Sequence, residues 1–435
     1  MAAPPRPKRA PPKLDLRAFQ APPAAAQTRR EYPQAIVDTH IHLWTKKQLE
    51  EGGVKWPVNG GPVQLSGPHE LDNYGAVVRE GVKKVGGGKN KWEGVVYVQA
   101  EAEHGDQDVD GSEGGWDASL DEVESVCAVA LTNPTVKVLA LVPWAPVLHG
   151  AAALSLYFTR LFALPSLIGL TSHLGYPPIR SVRYLLQDSP RGFFLKPGFI
   201  DGLKELGRRG FAFDLCLDSR NQDTGGVAAL EEAMEMIEKV REGQKEGEQT
   251  VFILDHFSKP SLSDETFSHS SDRLSPFRTA YISALHALSL LPHTHLKLSG
   301  FLDFPPPGLV QQAFGEFKEG KMGGRDSGFG TLKERVLAYL EPAIEAWGVE
   351  RILVGSDWPM FRPHLFPSTH TSPSSPSTTA TDEAAAWAFE MQLYLSCLTS
   401  LGLEGEDLDR IFAGNAKRVY RLGRDERDGK EGQEA

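Results

Sequence analysis

Eight short runs of β-branched and other apolar residues recur along the chain, at 35–42, 94–101, 136–144, 180–187, 212–217, 250–257, 295–300 and 351–357. Each is followed by a polar or Gly/Pro-containing loop, and most loops lead into a stretch with apolar residues at helical spacing. Within 117–131, Leu120, Val123, Val126, Cys127 and Ala130 share one helical face. Segment 197–210 opens on Pro197 and closes on Gly210, as helix ends prefer. Segments 227–244, 280–291 and 332–347 are helical by the same periodicity, and 382–401 and 406–412 follow the last run. Strands alternating with helices predict a parallel sheet. Eight such units is the number that closes an α/β (β/α)8 TIM barrel. The competing architecture, an open doubly wound sheet, calls for a Gly-rich phosphate loop after the first strand, which is missing here.

Four long segments interrupt this pattern: 46–91, 103–115, 304–330 and the Ser/Thr/Pro tract 362–381. Each follows a strand, so in a barrel all four fall on the face where strands end and substrate loops belong. Long insertions in the βα loops also accommodate 435 residues within one domain, since plain barrels run to about 250. The expected organisation is a basic Pro/Ala-rich disordered arm (1–34), a single barrel domain (35–422) and a charged disordered tail (423–435).

Composition narrows the partners. The formal net charge of −11 lacks the basic footprint of a nucleic-acid binder. The most apolar later stretch, 161–179, is broken by Pro165, Gly169, Gly175, Pro177 and Pro178, so no membrane span is expected. The arm has no apolar signal region, and the expected location is cytoplasmic, with organelle targeting by the basic arm left open. Cys127, Cys216 and Cys397 are far apart, which suits a reducing compartment and gives no thiolate zinc site. The expected partner is a small-molecule substrate, with neither nucleic acid nor membrane; a homo-oligomer is compatible with this reading.

Candidate chemistry gathers at strand ends. His40 and His42 are two apart on the first strand, so both side chains project to one face, into a barrel mouth. There they can bind one divalent metal or polarise a carbonyl without it. Asp38 has the same parity one layer deeper, where it can orient an imidazole. Asp357 ends the last strand, beside the first, and can accept a proton from water or complete a metal site with the two histidines. Gln99 and Glu101 share a face on the second strand. Asp255 and His256 are adjacent, so a regular strand turns only one of them inward. Arg183 and Gln187 match in parity on the fourth strand, and Arg183 is costly to bury unless it meets an anion or a structural acid. Lys297 carries the same ambiguity. The fifth strand, 211–217, offers neither histidine nor lysine for a second metal. No nucleophile elbow, Walker loop or HExxH motif occurs.

Taken together, the segments Val37-Asp38-Thr39-His40-Ile41-His42-Leu43-Trp44, Val96-Tyr97-Val98-Gln99-Ala100, Val182-Arg183-Tyr184-Leu185-Leu186-Gln187-Asp188, Phe252-Ile253-Leu254-Asp255-His256, Leu296-Lys297-Leu298-Ser299-Gly300 and Val354-Gly355-Ser356-Asp357-Trp358-Pro359 resemble the amidohydrolase-related family. Within it they look most like the TIM-barrel metal-dependent hydrolases that include sugar-lactone and dicarboxylate-lactone hydrolases. The closing segment Gly414-Asn415-Ala416-Lys417-Arg418-Val419-Tyr420 is similar to that family's C-terminal signature. The resemblance runs from about Ile36 to Tyr420. It departs at Ser181, where related sequences usually carry glycine, and at 167–179, which looks like an insertion. It implies hydrolysis of a lactone C–O bond, with Asp357, His256, His40 and His42 catalytic. Arg183, Gln99, Lys297, Gln187 and Trp358 are the substrate-binding candidates. It also implies either one divalent ion, zinc or manganese, on His40, His42, Asp357 and Glu101, or a metal-independent site. Metal-dependent nonoxidative decarboxylation of an aromatic acid and a non-catalytic barrel scaffold remain as alternatives.

Overall fold

The computed structural model describes residues 30–105, 108–112, 114–267, 275–324, 327–366 and 379–423. Most of the expected arm, the tail from 424, and 367–378 of the Ser/Thr/Pro tract lie outside the described residues.

Eight strands form, in order β1 (Ala35–Ile41), β2 (Lys91–Val98), β3 (Val138–Val142), β4 (Ser181–Arg183), β5 (Ala212–Leu215), β6 (Val251–Leu254), β7 (Thr294–Leu298) and β8 (Ile352–Val354). Every pairing is parallel, in two ladders, β1-β2-β3 and β4-β5-β6-β7-β8. Isolated bridges join the ladders on both sides. Leu141 pairs with Ile179 and Trp144 with Arg183 across one seam, and Ile41 pairs with Trp358 across the other. At the second seam the Asp357 N–H donates to the His40 carbonyl and the His42 N–H to the Trp358 carbonyl, both at 2.8 Å. The sheet is therefore a closed TIM barrel. The strands are shorter than the apolar runs because their C-terminal residues leave the ladder to enter the mouth: β4 keeps three residues of 180–187, and β6 stops at Leu254.

The anticipated helices are present as Asp117–Thr132, Pro197–Arg208, Ala228–Arg241, Pro276–Ser289, Gly328–Trp347 and Ala380–Ser400. The last expected one shortens to Glu406–Asp409, and the chain then passes through one turn of wider helix into Asn415–Val419. Four further helices of ten residues or more lie where loops or insertions were expected: Leu71–Gly81, Gly150–Leu161, Pro165–Leu174 and Pro307–Lys318. Leu71–Gly81 hides behind two glycines that read as loop. A Cβ on Gly81 would stand 2.7 Å from the Trp387 ring, so glycine lets this helix lie directly on Ala380–Ser400. Among the described residues no single helix is long and apolar enough to cross a membrane. One pair, Val147–Leu161 with Pro165–Leu174, passes that test jointly but is bent by 78°.

The barrel interior is filled at its N-terminal end by Val37, Val96, Ala140, Ala212, Ile253 and Leu353, against Ala413, Ala416 and Tyr420 of the C-terminal segment. That segment is a plug. Asn415 Nδ2 donates to the carbonyls of Val349 and Ile352, both at 2.7 Å, and Tyr420 OH donates to Asp214 Oδ2 at 2.9 Å. Replacing Asn415 with Ala leaves two carbonyls without their donor, which costs about 2 kcal/mol or more. Urea unfolding of N415A should therefore shift to lower midpoint; an unchanged midpoint would show that the plug does not hold β8.

Candidate active site

The alternation of β1 sends His40 and His42 to the same side, and their Nε2 atoms come within 3.2 Å. Asp357, three residues beyond the end of the adjacent strand β8, places Oδ1 3.2 Å from His42 Nε2 and 3.6 Å from His40 Nε2. His42 Nδ1 lies 3.0 Å from the carbonyls of both Val98 and Gln99. Carbonyls only accept, so Nδ1 carries a proton, and Nε2, the atom that faces Asp357, is a bare lone pair whenever the ring holds a single proton. His42 can donate to Asp357 only as imidazolium, and Asp357 Oδ1 is otherwise buried without a hydrogen-bond partner. Ligand bonds of 2.0–2.1 Å at tetrahedral angles separate the donor atoms by roughly 3.3 Å. The His40, His42 and Asp357 atoms match that spacing, and the buried cluster fits a metal site.

Two proton arrangements satisfy His40. Lys297 Nζ lies 3.2 Å from its Nδ1, and Asp255 Oδ1 lies 3.4 Å from the same atom. If Lys297 donates, the ring proton sits on Nε2 and points at His42. If Nδ1 donates to Asp255, Nε2 presents a lone pair beside that of His42. Burial, and then the Lys297 charge, hold the His40 pKa well below the usual imidazole range, so the ring is neutral in either case.

Beneath the histidines lies a buried ion cluster. Lys297 Nζ is 2.5 Å from Asp214 Oδ2 and 2.8 Å from Asp255 Oδ1, and all three side chains are inaccessible. Burial acts to lower the Lys297 pKa, but the two carboxylates outweigh it and hold the ammonium charged. Asp214 also accepts from Ser181 Oγ at 2.6 Å, so the serine that departs from the family pattern supplies a hydrogen bond.

Several expected placements are corrected. Lys297 does not reach the cavity and cannot hold substrate. Asp38 does not touch an imidazole. The register of β1 shifts between Asp38 and Ile41, and the Asp38 carboxylate instead accepts from the Ser356 N–H, Tyr74 OH and Trp387 Nε1 at 2.8–2.9 Å. Gln99 is fully buried and spends its side chain on the Glu101 carboxylate and backbone. Trp358 is buried against Tyr74 and His69. Glu101 lines the cavity, but its carboxylate engages Gln99 and faces His104 at 3.8 Å; it belongs to neither metal-capable group among the described residues. The expectation that Asp255 and His256 face opposite ways also fails. β6 ends at Leu254, and His256, Phe257, Ser258 and Lys259 all take positive φ of 50–57°. That left-handed turn brings both side chains to His40 as a second cluster, His40–Asp255–His256. His256 Nδ1 meets Ser299 Oγ at 2.9 Å and Asp357 Oδ2 at 3.8 Å. Burial pushes its pKa down to about 4, against the pull of Asp357 and Asp255. Gly300, at φ 66°, permits this approach, since a Cβ there would stand 2.8 Å from Asp357 Oδ2.

Above these groups opens a cavity of about 560 Å³, lined by His42, His256 and Asp357 at its floor and by Glu101, His104, Arg183, Gln187, Asp188 and Lys259 higher up. Arg183 is 4% exposed; one nitrogen donates to the Gln99 carbonyl at 2.7 Å, while its Nε is buried and unpartnered. Gln187 accepts from Lys259 Nζ. His104 and Lys259 were not singled out from the sequence. His104 lies in an acidic Gly-rich loop without periodicity, and Lys259 is brought in by the left-handed turn.

Residues 246–422 match the family model described as amidohydrolase. This match spans less than half of the chain, from just before β6 to the C-terminal segment. The chain is 24% identical to the L-rhamnono-gamma-lactonase of Scheffersomyces stipitis over 402 residues, covering 89% of this chain and 98% of that one. It is 27% identical to the L-fucono-1,5-lactonase of Burkholderia multivorans over 185 residues, 42% of this chain and 49% of the relative. In structure it is similar to a zinc-bound amidohydrolase from Burkholderia multivorans, with TM-score 0.56 and 18% identity, covering 89% of this chain and 99% of that one. These likenesses show the barrel fold and a distant relation to sugar lactonases.

The ion cluster sets a test that separates structure from substrate binding. Lys297→Met should strand two buried carboxylates and cost roughly 3–5 kcal/mol. Thermal unfolding should show a large loss of stability; a well-folded variant with only a raised KM would return Lys297 to the substrate.

Proposed function

We propose that this protein is an amidohydrolase-family hydrolase that opens a lactone of a sugar acid, with Asp357 as the base. The observation that carries the reading is the buried, unpartnered Asp357 Oδ1 beside two histidine Nε2 atoms at the floor of a polar cavity. Similarity to two sugar lactonases supports the substrate class.

Asp357 is ionised in this reading. Burial acts to raise its pKa, but on acidification His256 takes up charge first, and that charge outweighs burial and holds the carboxyl below the usual range. Water placed against Asp357 attacks the lactone carbonyl carbon as its proton passes to the carboxylate. Neutral His256, in the tautomer whose Nδ1 accepts from the Ser299 hydroxyl, offers its far N–H to the developing oxyanion. In a dry cavity a preorganised donor of this kind is among the largest catalytic contributions. When the tetrahedral centre collapses, the ring C–O bond breaks and Asp357 returns its proton to the leaving alkoxide, giving a hydroxy acid. Arg183, Gln187 and Lys259, with Glu101 and His104 opposite, offer donors and acceptors for the substrate's hydroxyls. A divalent ion held by His40, His42 and Asp357, zinc being the ion in the structurally similar Burkholderia protein, would supply Lewis-acid polarisation of the carbonyl.

Asp357→Asn should abolish ring opening of L-rhamnono- and L-fucono-lactones, read as proton release with a pH indicator, while leaving the circular dichroism spectrum unchanged. Near-full activity would remove Asp357 from the mechanism. Release of carbon dioxide from an aromatic acid, without lactone turnover, would move the chain to decarboxylation. Chelation should lower the rate of the wild-type enzyme and added zinc should restore it; a rate indifferent to chelator would leave His40 and His42 as direct hydrogen-bonding groups.

A further inference from the structure

A second cavity, of about 410 Å³, opens at the opposite end of the barrel, between the starts of β5, β6 and β7 and the C-terminal plug. Its side chains include His293, His295, Lys417, Arg418 and Arg421, and among the described residues no carboxylate side chain lines it. Lys417 is paired with Glu93 at 2.5 Å. The two arginines are not paired with acids among the described residues. Arg418 donates to the Glu350 carbonyl and Asn415 Oδ1, and Arg421 to the Gly210 carbonyl. His295 supplies the independent observation: it is 5% exposed, and its Nδ1 is buried with no hydrogen-bond partner. Such an orphan costs free energy unless an acceptor or donor arrives. Burial, followed by Arg418, Arg351 and His293, pushes the His295 pKa down to about 3, so the ring is neutral and carries one N–H.

We infer that this cavity binds a small multivalent oxyanion of the phosphate class. Such an ion has oxygens for the guanidinium forks of Arg418 and Arg421 and for the imidazole N–H. It would also neutralise a basic cleft on the barrel face remote from the candidate active site.

The test is isothermal titration of the full chain with inorganic phosphate at low ionic strength, in a buffer free of competing anions. One saturable site per chain is expected, weakened about tenfold or more in R418Q/R421Q, as loss of charged hydrogen bonds worth 1.4 kcal/mol or more implies. Lactone turnover should be unchanged in that variant. Should the double variant misfold, R421Q alone gives the reading, since its guanidinium makes one carbonyl contact. Asp425, Glu426 and Asp428 follow in the sequence and carry similar oxyanion chemistry, so D425N/E426Q/D428N is titrated in parallel. Unchanged affinity assigns the site to a free anion, and tighter binding shows the chain's own carboxylates competing for it. Absence of saturable binding in all variants overturns the inference, as does binding that survives R418Q/R421Q but is lost in Arg183→Gln.

Discussion

A buried ammonium between two buried carboxylates organises the barrel. Lys297 on β7 draws Asp214 from β5 and Asp255 from the end of β6 to one point, and Tyr420 of the C-terminal plug joins through Asp214. Burying such charges is costly unless each is paired and hydrogen-bonded. Here the arrangement comes close, and what is left over is directed upward: Lys297 and Asp255 both face Nδ1 of His40. The ion cluster therefore fixes the ring's orientation, offering either a donor or an acceptor to its Nδ1, while burial and the Lys297 charge keep it neutral. An imidazole held in this way can serve a metal-bound and a metal-free site with one shift of a proton.

The strand ends above the cluster are bent out of ordinary backbone. Glu101, His256 and Asp357, at the ends of β2, β6 and β8, all adopt φ of 53–57°. Non-glycine residues in that region are strained by about 1–3 kcal/mol each, and such residues concentrate at functional sites. All three line the cavity. The barrel's pairing and its packed interior hold them there, which is how a rigid scaffold aims side chains that a regular strand would turn elsewhere.

That bending also marks where the sequence could and could not be read. Strand–helix alternation was enough for the barrel, because all eight apolar runs are legible and helical spacing survives in most of the units between them. Parity placed His40 and His42 correctly, since β1 stays regular between them in the sense that matters. It failed for Asp38, where the β1 register shifts, and for Asp255 and His256, where the strand has already ended. Gln99 and Lys297 had the right parity and the wrong depth: both face inward but are consumed by Glu101 and by Asp214 and Asp255. Residue type alone does not reveal whether a buried polar group has already found its partner. The helix Leu71–Gly81 was obscured by glycines that serve close packing rather than a turn.

The central claim is that two imidazole Nε2 atoms and one orphaned carboxylate oxygen converge on a single point. Anomalous diffraction at the zinc edge from crystals grown with zinc tests it most directly. The account predicts one strong peak within bonding distance of His40 Nε2, His42 Nε2 and Asp357 Oδ1. A peak between Glu101 and His104, or none at the barrel floor, would contradict it.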